Sequence, residues 1–329
     1  MMRRIILLFS AIIVLLMVSD LQAQNEIQAP RMRVIVDNDF GGDPDGLFQL
    51  AHQVLSPSVE IKAIIGSHHY NDFFGNPGTS AFACKMAKEV LSVMHCDSLT
   101  VYVGAEGKFT NIKEPLESEG ARAIIAEAMR EDKRPLYVLC GAGLTNIAAA
   151  YLMEPRISER ITAVVWIGGP EYAALCKNQL QKQREYNQGI DPIASQVVFN
   201  YSDLHVWQIP RDVYRQALYS YPELEERIGK SGKTGNYLME RLAVPFKWMH
   251  GGLGETYILG DSPLVLVTAL QSPWESDPSS CEYVIRKTPF MNDNGFYNEN
   301  PTGRPIRIFT RIDGRLMFED MIAKLKQHD

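Results

Sequence analysis

After its first two dozen residues the sequence holds no further long apolar run. It also has no Cys-x-x-Cys pair, no internal repeat, no low-complexity linker and no excess of basic residues. Without a second apolar run, no later segment spans a bilayer as a helix. With 33 Lys and Arg against 39 Asp and Glu, the net charge is −6, and nothing argues for nucleic acid or a membrane surface as partner. The five cysteines (Cys84, Cys96, Cys140, Cys176 and Cys281) are odd in number, so at least one is free or pairs between chains. Cys84 and Cys140 sit in apolar runs and read as core. A Cys84–Cys96 bridge is left open by the spacing.

The 329 residues are 46% hydrophobic, enough for one large α/β domain. At the start, Arg3 and Arg4 precede an apolar run from Ile5 to Val18, and Leu21-Gln22-Ala23 offers a cleavage site before Gln24. This is a secretory signal pattern, too short for an anchor. The expectation is a signal peptide over 1–23 and a mature protein that is periplasmic or secreted, with no membrane attachment after cleavage.

The densest chemistry lies in Val34-Ile35-Val36-Asp37-Asn38-Asp39-Phe40-Gly41-Gly42-Asp43-Pro44-Asp45-Gly46, where a β-branched run ends in four aspartates within nine residues. Apolar residues then recur at helical spacing from Leu47. Asp43 suits an N-cap and Pro44 the first helical position. The reading is strand, acidic loop, helix, with the loop at the carboxyl end of a core strand, where open α/β sheets place ligands. Four carboxylates so close together repel, and a hard divalent cation on oxygen ligands relieves that repulsion.

Strands and helices then alternate: strands over 59–65, 99–103, 136–139 and 162–167, and helices over 81–94, 121–129 and 144–152. This predicts βαβ units and a mainly parallel open sheet flanked by helices. Gly66, Gly104, Gly141 and Gly168 each follow a strand, as at a shared cleft. Further on come a polar loop over 171–184, a helix over 192–199, a strand over 205–209, helices over 222–229 and 234–248, and an apolar helix over 264–270. Segments 281–285 and 305–312 read as two strands of an appended ribbon, and 316–325 as a closing helix. The division is a main domain over 30–273 and a C-terminal appendage over 274–329 packed on it. A homo-oligomer is compatible with this plan.

Two more places carry chemistry. Asp261 opens a helix behind Gly260 and reads either as an N-cap or as a distant oxygen ligand completing the first loop's cation site with Asp39, Asp45 and a carbonyl near Gly141. Glu185 and Asn187, if extended, face the same way and grip adjacent hydroxyls.

The ordered set of these motifs resembles the inosine–uridine preferring nucleoside hydrolases. That family opens with Asp-x-Asp-Pro-Gly-x-Asp-Asp, matched by Asp37 to Asp45 with Pro44 as an extra residue. It continues with a Gly-Leu-Thr-Asn, here Gly143-Leu144-Thr145-Asn146, then a Glu-Phe-Asn, here Glu185-Tyr186-Asn187 with Asp191-Pro192, and a late aspartate, here Asp261. The resemblance covers about residues 32–272. It implies a nucleoside hydrolase-like fold and hydrolysis of a ribonucleoside's N-glycosidic bond by a Ca²⁺-activated water. Asp39 becomes general base and Ca²⁺ ligand, and Asp45, Asp261 and the Gly141 carbonyl further ligands. Asp43 and Asn187 take the ribose 2′- and 3′-hydroxyls, and Glu185 the 5′-hydroxyl.

The chain departs from the pattern at several positions. Gly260 stands where many members have a histidine that protonates the leaving base; His250, Trp248 and Tyr257 lie upstream. Ser67 replaces an asparagine after the second strand, and Asn178 or Gln179 meets another. Pro44 leaves two registers: either Asp45 faces the metal, or it faces the sugar and Gly46 replaces a ligand. The resemblance also leaves room for a nucleoside- or ribose-binding protein with impaired turnover, and for another N-ribosyl substrate.

Overall fold

The computed structural model describes residues 29–70, 72–176, 182–272 and 280–328. Residues 1–23, expected to be a signal peptide, and Asn178 with Gln179 lie outside those residues.

The central sheet has eight strands. In chain order they are β1 (Met32–Asn38), β2 (Val59–Gly66), β3 (Val101–Val103), β4 (Leu136–Cys140), β5 (Ala163–Ile167) and β6 (Val206–Ile209), a small antiparallel pair β7 (Leu218–Ser220) and β8 (Thr256–Ile258) outside the sheet, β9 (Cys281–Lys287), a second small pair β10 (Phe290–Met291) and β11 (Tyr297–Asn298), and β12 (Pro305–Ile312). The sheet order is β3-β2-β1-β4-β5-β6-β12-β9, parallel throughout except where β9 runs against β12. The expected parallel α/β sheet is therefore present.

A strand covered on both faces needs apolar residues of both parities. β1 meets this: Val34 and Val36 join one apolar cluster, with the helices Asp45–Val54, Ser80–Val93 and Gly314–His328, while Ile35 joins a second, with Glu119–Ala128, Thr145–Met153 and Pro192–Asn200. The chain leaves β1 towards β2 and β3, then returns to β4 on the other side, so the strand order reverses between β1 and β4. Ligands bind outside the carboxyl ends of strands at such a point.

Several boundaries differ from the sequence reading. The first helix starts at Asp45 with Pro44 as N-cap, so Asp43 lies one residue outside it, its Oδ1 accepting from the Asp45 N–H at 3.3 Å. The helix after Ser262 stops at Leu266, because the apolar run continues into turns. The C-terminal strands do pair antiparallel, and β12 also docks on β6, so they extend the main sheet. The five cysteines form no disulfide among the described residues, which removes the Cys84–Cys96 bridge.

Candidate active site

Seven of the residues singled out in the sequence line one cleft of about 230 Å³ at the carboxyl ends of β1, β4 and β5: Asp39, Asp43, Asp45, Gly141, Glu185, Asn187 and Asp261. His250 is not among them. The helix Lys233–Trp248 gives way there to a turn, and His250 stands exposed in it with φ +48°.

The floor of the cleft is built from β1 and β4. Asp37 is fully buried and supports the loop from behind; its carboxylate accepts from the Ser67 hydroxyl and from Asn146 Nδ2 at 3.2 Å. Burial pushes its pKa up to about 7 against those two hydrogen bonds. Ser67, which stands where the resembled pattern has asparagine, is thus a partner of Asp37. The Asn38 side chain donates to Asp261 Oδ2 at 2.9 Å and accepts from the Asp39 N–H at 2.7 Å. It fills the space beside Gly141, where a Cβ atom would stand 2.3 Å from Asn38 Nδ2. Glycine is needed there to let β1 and β4 approach.

Around that floor stand four carboxylates. Asp45 Oδ2 accepts from the Asp261 N–H at 3.1 Å, and Asp43 Oδ1 accepts from the Tyr257 hydroxyl at 2.7 Å. Asp39 Oδ2 is buried with no hydrogen-bond partner among the described residues. Desolvation, then the charges of Asp261 and Asp43, hold the Asp39 carboxyl well above the usual range. Desolvation and the neighbouring acids raise Asp45 likewise, and burial lifts Asp261 to about 8.

Across the cleft, Glu185 and Asn187 belong to the short helix Tyr186–Ile190, not to an extended segment. Glu185 is its N-cap. Glu185 Oε2 accepts from the N–H groups of Gln188 at 2.9 Å and Gly169 at 2.8 Å, and Oε1 from the Tyr214 hydroxyl at 2.9 Å. Gly169 reaches it from a turn with φ +84°, a conformation that favours glycine. The expected grip of Glu185 on a hydroxyl is therefore already met by three protein donors. Asn187 Nδ2 donates to the carbonyls of Gly141 at 3.1 Å and Ile167 at 2.8 Å, tying β4 to β5.

The sequence reading missed the aromatic wall. Tyr186 packs against Tyr70 and Phe73, with ring centroids 5.1 and 4.8 Å away, and Phe73 continues through Phe74 to Trp248. Phe74 and Asp72 sit at positive φ, and the aromatic spacing Tyr70–Phe73–Phe74 was the available signal. Arg215 is the sole cation lining the cleft, and its guanidinium makes no hydrogen bond or ion pair among the described residues.

The donor set is all oxygen, buried and mutually repelling, with one carboxylate oxygen orphaned, and it fits a hard divalent cation. Among the described residues, no three acidic, histidine or cysteine side chains already converge on a single ion position. The carboxylates of Asp45 and Asp261 are instead turned to N–H donors.

One consequence is a stability signature. A carboxyl whose folded pKa is raised supports the fold fully below its unfolded value near 4, and that support is lost as pH rises through the folded value, here about 8 for Asp261. Asp261→Asn removes the penalty. In metal-free buffer the variant is expected to melt several degrees above wild type at pH 8 and level with it near pH 4. Thermal melts across that range check this; a variant that melts lower at pH 8 contradicts it.

Comparison with known proteins places this geometry. The family model for inosine-uridine preferring nucleoside hydrolase matches residues 34–288. The inosine-uridine preferring nucleoside hydrolase of Crithidia fasciculata is 28% identical over 229 residues, covering 63% of this chain and 69% of that protein. Among solved structures, a plant nucleoside hydrolase superposes with a TM-score of 0.69 at 15% identity, covering 90% of this chain and 99% of its own. The purine-preferring ribonucleoside hydrolase of Gardnerella vaginalis gives 0.68 at 20% identity, covering 90% and 98%. With the family match over most of the chain and the acidic cleft at the β1–β4 reversal, this protein belongs to the inosine-uridine preferring nucleoside hydrolase family of N-glycosyl hydrolases.

Proposed function

We propose that this protein hydrolyses the N-glycosidic bond of ribonucleosides, using a Ca²⁺ ion held by Asp39, Asp45, Asp261 and the Gly141 carbonyl, with Asp39 as general base. The observation that carries this is the meeting of Asp39, Asp43, Asp45, Asn187 and Asp261, from three separate segments, in one cleft. Members of the family are generally metal-dependent, and the oxygen-only donor set favours Ca²⁺ over softer ions. The nearness of Asp45 to Asp261 supports the register in which Asp45 faces the metal. Gly46, in the other register, packs against Asn38.

A divalent cation, when bound, supplies the charge that lowers the pKa of the attacking water. Asp39, with its free Oδ2, is placed to take that water's proton. Asp43 and Asn187 hold the ribose hydroxyls and so fix the anomeric carbon in front of the water. The carboxylates together favour the positive charge that develops on the sugar. The aromatic wall of Tyr70, Phe73 and Tyr186 excludes water from the base. The test is to incubate mature protein with Ca²⁺ and a panel of nucleosides and to measure reducing sugar. Tight binding without sugar release, seen by calorimetry, marks a binding protein instead.

Arg215 favours a second reading, a ribosyl substrate bearing a negative group. An unpaired cation on an otherwise acidic cleft attracts such a group. On this reading nucleoside 5′-monophosphates outcompete nucleosides, and Arg215→Gln reverses the order.

On the signal pattern at residues 1–23 we propose that the mature protein is periplasmic or secreted. Its N-terminus, sequenced from that fraction, is expected to begin at Gln24; retention of Met1 in a membrane fraction contradicts this.

A further inference from the structure

Departure of the base leaves an electron pair on its nitrogen, and a donor beside the base stabilises it. Gly260, on the cleft wall, offers no side chain for that task. Tyr186, which lines the same cleft, stands where the related motif has phenylalanine, and its hydroxyl is buried with no hydrogen-bond partner among the described residues. An unsatisfied buried hydroxyl costs about 1–3 kcal/mol, so its retention calls for an acceptor that arrives with the ligand. The ring belongs to the aromatic wall, edge-on to Tyr70 and tilted against Phe73. Burial and the charges of Asp39 and Asp43 keep the phenol protonated, so it acts as a donor.

On the hydrolase reading above, we infer that the Tyr186 hydroxyl is the hydrogen-bond donor to the departing base, taking the place of a side chain at Gly260. The C1′–N bond breaks and its electron pair stays on the base, where the phenol O–H meets it. The water's hydroxide joins C1′, and the water's remaining proton neutralises the base, so the tyrosine is unchanged over the cycle.

The test is Tyr186→Phe in the full mature protein with Ca²⁺, assayed on ribonucleosides and on 4-nitrophenyl riboside. The nitrophenolate leaves without a donor, so loss of the hydroxyl spares that substrate. The expected result is a drop in kcat on nucleosides of about 10²-fold, within the range for one such group, with the nitrophenyl riboside changed by less than about 2-fold and an unchanged or higher Tm. Equal losses on both substrates, or no loss on nucleosides, overturn the inference while the hydrolase reading stands. A wild type that cleaves the nitrophenyl riboside but no nucleoside also overturns it. A wild type inactive on both substrates overturns the hydrolase reading, and this inference with it.

Discussion

Replacing Asp39 with asparagine is expected to lower kcat on the best nucleoside by at least about 10³-fold while raising the Tm of the metal-free protein. The two effects have one cause. Asp39 is buried beside Asp43 and Asp261 with one carboxylate oxygen unpartnered, an arrangement that costs the metal-free fold free energy. Asparagine keeps the shape and removes the charge, so the fold relaxes. The same charge is what a general base and cation ligand requires; the base alone is worth about 10²–10⁴ in rate. A residue of purely structural value loses stability and activity together. Paired melting curves and steady-state assays separate the cases, and a lower Tm in Asp39→Asn counts against the account.

The second large effect is expected on cation removal. Chelation should abolish turnover, and Ca²⁺ should restore it. The cation's binding to the folded state alone adds stability as RT ln(1 + [L]/Kd), about 2.7 kcal/mol at a hundredfold excess over Kd. For a chain of this length that is a rise of roughly 4 °C. Binding also displaces protons, because Asp39, Asp45 and Asp261 all carry raised pKa values without it. The stabilisation should therefore grow between pH 6 and pH 8. A melting temperature indifferent to Ca²⁺ at both pH values leaves the acidic cluster without its proposed occupant.

The parts of this fold visible in the sequence were those fixed by local pattern. The β-branched run ending in Asp37, with apolar residues of both parities, could only be a strand buried on two faces, and Gly141, just after β4, marked the close approach beside Asn38. Ordered acids from distant segments announced a shared cleft. What stayed hidden depends on long-range pairing or side-chain direction. Glutamate is not a common N-cap, so Glu185-Tyr186-Asn187 read as extended when it opens a helix, and that change turned Glu185 inward to Gly169 and Tyr214. The docking of β12 on β6 joins residues about a hundred apart, and no local signal marks it. His250 looked suitable by order along the chain, but the turn at 249–254 carries it into solvent.

The most direct measurement of the central claim is base release from matched ribonucleosides and 2′-deoxyribonucleosides by the Ca²⁺-loaded protein, followed by chromatography. Asp43 and Asn187 are assigned to the ribose hydroxyls, and a site built to bind a hydroxyl rejects the analogue lacking it strongly. The predicted result is release of free base from at least one ribonucleoside, with the 2′-deoxy counterpart slower by about 10²-fold or more. No base from any ribonucleoside, or equal release from both sugars, contradicts the account.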